Sequence, residues 1–127
     1  MAASMNCPAK ILLVEDDEAL GVLTIEALGL FGHASALATT VSEAYRLLAV
    51  PHSFRIVLLD LQIAEDRGEH LIERLQCAGA RLPAVVILSA QPLSELTRAG
   101  QRVRAAAILQ KPCSVQELTE TIGRIAA

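Results

Sequence analysis

"ILLVEDDEAL", residues 11–20, sets four aliphatic side chains directly in front of four consecutive acids. An unbroken aliphatic run of this length reads as a strand covered on both faces, as in a parallel sheet. Acids massed at its end have two readings. They are helix-start chemistry, since carboxylates favour the N-terminal end of a helix dipole, or they are held together by something positive.

The same grammar recurs along the chain. Strands are predicted at "KILLV" (10–14), "HASALA" (33–38), "RIVLLD" (55–60), "AVVILS" (84–89) and "AAIL" (106–109). Between and after them lie amphipathic stretches, predicted as helices over 17–31, 41–49, 68–78, 93–104 and 115–126. Leu20, Leu23, Ala27 and Leu30 fall at helical spacing, as do Leu71, Ile72 and Leu75, and again Leu118, Ile122 and Ile125. "TVSE" (40–43) and "SVQE" (114–117) carry the capping-box pattern that starts a helix. Five β-α units with right-handed crossovers wind into an open parallel sheet, strand order 2-1-3-4-5, with helices on both faces. Residues 10–127 are expected to form this single domain, and 1–9 an N-terminal extension in which Met1 or Met5 is the start.

Composition narrows the function. Hydrophobic residues make up 53% of the chain, enough for a real core in 127 residues. The net charge of −3 lacks the basic excess that nucleic-acid backbones demand, so direct nucleic-acid binding is not expected. No apolar run approaches the length of about 18 residues that a membrane span needs. Cys7, Cys77 and Cys113 are odd in number and form no CxxC pair, which suits a reduced cytoplasmic setting, and Cys77 and Cys113 read as small buried hydrophobes in place of reactive thiols. His33, His52 and His70 share no metal spacing and read as solvated or loop residues, and Arg98, Arg102 and Arg104 as a solvated helix face.

In an open parallel sheet, sites form beyond the C-terminal ends of the strands. Those ends carry Glu15 and Asp16, then Asp60, then Ser89, and the loop after the fifth strand carries Lys111 and Pro112. Carboxylates gathered within about 5 Å repel by roughly 3 kcal/mol per pair at an effective dielectric of about 20, so they need a cation or must shed charge. A hard ion such as Mg2+ answers that need with few carboxylates and several waters. Asp17 keeps the helix-start reading.

This ordered set resembles the receiver domain of two-component response regulators, over nearly the whole chain from Lys10 to about Ala126. The residues that carry the resemblance are "ED" at 15–16, the aspartate of "IVLLDLQ" at 60, the hydroxyl of "VILSA" at 89 and "KP" at 111–112. The resemblance implies a flavodoxin-like receiver fold and a phosphoacceptor that catalyses its own phosphorylation and dephosphorylation. Asp60 would take a phosphoryl group from a phosphohistidine on a sensor histidine kinase or a phosphotransfer protein. Asp16 would bind Mg2+ directly, Glu15 through water, Asp60 with a carboxylate oxygen and Gln62 with its backbone carbonyl. Lys111 would pair with Asp60 and then with the phosphoryl oxygens, across a Lys111–Pro112 bond that the family often holds cis. Ser89 would move to report the new charge to a downstream protein target. Gln62 and Gln91 stand where the family tunes the lifetime of the phosphoryl group.

The match departs in places. Ile108 stands where the family has an aromatic residue that swings inward on activation, so a ring-based readout is not expected. Cys113 replaces a phenylalanine after "KP", and Ala64 replaces a proline four residues after the nucleophile; Gly68 is kept. An alternative reading is a pseudo-receiver that signals by binding alone, whose mark is a missing acid, hydroxyl or lysine, and all are present here. An aspartate phosphatase would show a second acid where Gln62 stands, and a nucleotide or flavin binder would need a glycine-rich loop where "VEDDEALG" is acidic. Self-association into a homodimer is left open.

Overall fold

The computed structural model describes residues 9–126; the expected extension over 1–9, with both candidate start residues and Cys7, lies outside these residues except for Ala9. Seven strands and five helices follow one another as β1 (Lys10–Val14), α1 (Glu18–Leu30), β2 (Ala34–Ala38), α2 (Val41–Leu48), β3 (Ile56–Leu59), β4 (Gln62–Ile63), β5 (Asp66–Arg67), α3 (Gly68–Cys77), β6 (Ala84–Ser89), α4 (Leu93–Val103), β7 (Ala107–Gln110) and α5 (Val115–Ala126). Five strands form one parallel sheet in the order β2-β1-β3-β6-β7, which is the expected 2-1-3-4-5 winding. The sequence reading lacks only β4 and β5, a two-residue-per-strand antiparallel hairpin directly after Asp60.

The aliphatic runs bury alternate residues on opposite faces, as the two-residue period of a strand requires. Leu12, Val14, Val57, Leu59, Val85 and Ile87 face α2, α3 and α4, which contribute Val41, Leu48, Leu71, Ile72, Leu75 and Leu96. Ile11, Leu13, Ile56, Leu58, Val86 and Leu88 face the other way, where α1 and α5 contribute Leu28, Leu118 and Ile122. Each fully buried Leu or Ile stabilises the fold by roughly 1.5–3 kcal/mol. On the three-helix side Tyr45 of α2 lies beneath the Arg74 guanidinium of α3, 4.3 Å from ring centre to the guanidinium carbon.

Both capping boxes form. Thr40 Oγ1 accepts from the Glu43 N–H at 3.0 Å, and the Glu43 carboxylate reaches back to the N–H of Thr39, one residue before the expected one. Ser114 Oγ accepts from the Glu117 N–H at 3.0 Å, and Glu117 accepts from the Ser114 N–H at 3.4 Å.

Helix α1 corrects the sequence reading. Leu20, Leu23 and Leu30 do not enter the core, and Leu23 is 63% and Leu30 85% exposed. The buried residues of α1 are Gly21 and Leu28. The helix is apolar nearly all round, so spacing alone does not fix which side turns inward; the close approach of Gly21 to β2 does. A Cβ at Gly21 would lie 2.7 Å from Leu37 Cδ1. Two smaller expectations also change. His33 is buried, 6% exposed, its Nδ1 accepting the Ala9 N–H at 3.1 Å. Cys77 is exposed at the end of α3 instead of buried.

Candidate functional site

The chain leaves β1 in one direction to build β2 and returns past β1 to build β3, so the sheet reverses order between β1 and β3. The C-terminal ends of those strands deliver Glu15 and Asp60 side by side, and β7 delivers Lys111 from its far flank. Lys111 Nζ donates to Glu15 Oε1 at 2.7 Å and to Asp60 Oδ2 at 3.1 Å. One ammonium therefore joins residues 96 and 51 positions away in sequence. Burial works against the charged lysine, but the ion pairs with Glu15 and Asp60 outweigh it and hold Lys111 above its ordinary pKa.

Glu15 is 5% exposed and is turned to Lys111 and to the N–H of Asp17, which it accepts through Oε2 at 3.2 Å. Asp17 accepts from the Leu20 N–H at 3.1 Å and caps α1, the helix-start role read from the sequence. Asp16 is exposed, and its Oδ2 accepts the N–H of Ala64 at 2.7 Å. Asp60 Oδ1 accepts the N–H of Gln62 at 3.2 Å, while the Gln62 amide donates to the Ala64 carbonyl at 3.0 Å. Gly68 packs so tightly beneath this loop that an added Cβ would overlap the Asp60 carbonyl oxygen.

Ser89 closes β6 and is 1% exposed; its carbonyl accepts the Lys111 N–H at 2.8 Å. Gln91 offers its carbonyl to the Gln110 side chain at 3.1 Å, and its own Oε1 is buried without a hydrogen-bond partner. Ile108 lies on β7 against α4, where a Cβ at Gly100 would approach its Cγ2 to 3.0 Å. The Lys111–Pro112 peptide is cis. The sequence reading paired Lys111 with Asp60 alone; the contact to Glu15 and the Ala64 amide on Asp16 are additions.

Among the described residues, no three His, Cys, Asp or Glu side chains are gathered as a metal-binding group. The donor chemistry at the strand ends nevertheless fits Mg2+, which takes hard oxygens and holds most of its waters around one or two carboxylates. Asp60 and Asp16 are two such carboxylates, the first held by the backbone N–H of Gln62 and the second by that of Ala64. Glu15 is spoken for by Lys111.

This site stands on a sheet with receiver topology, and the sequence profile described as "Response regulator receiver domain" matches residues 11–123. The chain belongs to that family, whose members are phosphoacceptor signalling modules. It is 33% identical over 109 residues to the transcriptional regulatory protein BasR of Escherichia coli, and 35% identical over 109 residues to PmrA of Pectobacterium parmentieri. Each alignment covers 86% of this chain and 48% of the relative, so the chain spans about half the length of these curated relatives. The non-phosphorylated receiver domain of HemR from Leptospira biflexa superposes with a TM-score of 0.81 at 32% identity, covering 94% of each chain. A receiver domain protein from Methanospirillum hungatei superposes equally well, TM-score 0.81, at 22% identity and 94% coverage of each chain, which speaks for the fold alone. No helix among the described residues is long and apolar enough to cross a membrane.

Proposed function

We propose that Asp60 accepts a phosphoryl group from a phosphohistidine on a sensor histidine kinase or phosphotransfer protein, and that the added charge switches an interaction surface for a downstream protein. The single observation that carries this reading is the Lys111 ammonium held between Glu15 and Asp60. A carboxylate that attacks phosphorus must have its charge balanced, and phosphoryl transfer is chiefly positioning and electrostatic stabilisation. An Asp60 carboxylate oxygen forms the new bond to phosphorus, the phosphorus–nitrogen bond breaks, and its electron pair returns to the imidazole. Lys111 then follows the charge onto the phosphoryl oxygens. Asp16, Asp60 and the Gln62 carbonyl would hold Mg2+, with Glu15 reached through water. Bound there, the ion supplies charge neutralisation for the phosphoryl oxygens. The Ser89 hydroxyl, at the end of β6, answers their arrival. Gln62 and Gln91 tune how fast water later removes the group.

The donor is proposed to approach over α1 and α5. A groove of about 530 Å3 between them is lined by Leu20, Leu23, Leu88, Val115 and Leu118, and it reaches Lys111. These two helices carry Glu18, Glu26, Glu117 and Glu120 against a single basic residue, Arg124. A helix with an apolar ridge flanked by lysine or arginine is the complementary shape and charge.

Incubation with acetyl phosphate and Mg2+, followed by intact mass, tests the chemistry. A gain of one phosphoryl mass, absent in Asp60→Asn and without Mg2+, is expected. No Asp60-dependent gain in a folded chain leaves the binding-only pseudo-receiver as the better reading.

A further inference from the structure

The hairpin after Asp60 ends in a turn that touches the acid pair. Its register pairs Gln62 with Arg67 and Ile63 with Asp66, so Ala64 and Glu65 form a two-residue turn. Ala64 has φ +54°, and Glu65 is not among the positive-φ residues. A positive φ at the first turn residue puts Ala64 in the left-handed region, which favours glycine. The strained conformation aims the Ala64 N–H outward, onto Asp16 Oδ2 at 2.7 Å.

The base of the hairpin is tied down on the opposite side. Asp66 accepts from the Arg67 N–H at 2.8 Å and pairs with His70 of α3 at 2.7 Å. The Arg67 guanidinium holds Glu69 through two contacts of 3.0 and 3.3 Å, and the Gly68 N–H donates to the Leu61 carbonyl at 3.0 Å. A tip anchored in this way has a defined position. Asp16 does not: its side chain is exposed, and among the described residues its one hydrogen bond comes from Ala64. Proline at position 64 would supply neither the N–H nor the positive φ.

We propose that Ala64 is a positioning residue for Asp16: its N–H, presented by the hairpin tip, fixes the carboxylate by one oxygen so that the other is aimed at the metal, and thereby sets the Mg2+ affinity of the site. The inference rests on the phosphoacceptor reading above. A hydrogen bond to a ligating carboxylate narrows its orientations before the ion arrives, and losing such a partner weakens metal binding. By linkage, a tip that favours Mg2+ is itself held by Mg2+.

The test is a Mg2+ titration by calorimetry on the whole chain and three variants, with thermal melts in parallel. Ala64→Gly keeps the N–H and adopts the turn freely, Ala64→Val keeps it but resists the positive φ, and Ala64→Pro removes it. Affinity is expected to fall in the order Gly, Ala, Val, Pro, the last weaker than the parent by about tenfold or more. In the parent chain, Mg2+ is expected to slow hydrogen exchange at the Ala64 amide. Indistinguishable affinities along the series, or faster exchange at Ala64 with Mg2+, overturn the proposal; if Ala64→Pro does not fold, the glycine–valine pair decides it. A role confined to loop stability moves the melts and leaves the affinities alone. A parent chain that gains phosphate on Asp60 while the series stays flat removes this inference only. A parent chain that neither binds Mg2+ nor takes phosphate removes both.

Discussion

The two faces of the sheet are built differently. Helices α2, α3 and α4 close one face with interlocking aliphatic side chains, from Val41 and Leu48 across Leu71, Ile72 and Leu75 to Leu96. Helices α1 and α5 cover the other incompletely, and the gap between them opens beside Lys111. Helix α1 presents Leu20, Val22, Leu23 and Leu30 to solvent. The difference teaches that stability and access are separated: the closed face carries the continuous packing, and the open face leaves a groove that reaches the strand ends.

The largest expected effect lies in that contrast. Leu71→Ala, at a fully buried position of the closed face, should cost about 2–5 kcal/mol in a denaturant titration. Leu23→Ala, on the open face, should stay within about 0.5 kcal/mol. It should nonetheless slow phosphoryl transfer from the protein donor while sparing transfer from acetyl phosphate. Equal stability losses at the two positions would erase the distinction.

Gly68→Ala probes the boundary between closed face and site. Its Cβ would sit 2.9 Å from Leu59 Cγ and overlap the Asp60 carbonyl, so a loss of about 1–3 kcal/mol should come with slower phosphorylation. Unchanged acetyl phosphate kinetics would show that the Asp60 backbone does not depend on this contact.

Lys111→Met should cost about 1–3 kcal/mol, because it leaves Glu15 buried without its counter-charge. The folded lysine has a raised pKa, so its stabilising contribution is complete below the unfolded lysine pKa of 10.5 and is lost as pH rises through the folded value. On the alkaline side of neutral, the stability gap between parent and variant should accordingly persist until the solution is strongly alkaline. A gap that closes near neutral pH would point to some other origin.

The smallest effect belongs to the far end of the open face. Burial lowers the pKa of His33 below its ordinary value of 6.5. Its contribution is therefore present above 6.5 and lost as pH falls through the lower folded value. The parent chain should lose stability over that acidic window, and His33→Gln should flatten the profile there.

Much of this architecture is legible in the sequence, and the failures have physical causes. "AVVILS" is a strand over the predicted residues and "SVQE" starts α5 where its capping pattern says, because burial on both faces and side-chain caps leave local marks. Helix α1 carries no such mark for its orientation. With leucines on every side its inward face is chosen by Gly21 meeting Leu37, a long-range packing fact. The site residues Glu15, Asp60 and Lys111 are legible through their places at strand ends, and the fold brings them together. The sharing of Lys111 between both carboxylates is not, since it depends on side-chain reach across β1 and β3. Ala64 is visible in sequence only as a departure from proline. What it contributes is a backbone N–H, which every residue but proline possesses, so no side chain advertises it.

The Tyr45–Arg74 stack has a consequence for optical spectroscopy. The chain has one tyrosine and no tryptophan, and that tyrosine sits in the seam between α2 and α3. Its ultraviolet emission therefore reads the integrity of the closed face. Unfolding of that face can be followed without a label, whereas occupancy of the strand-end acids calls for calorimetry, mass or amide resonances.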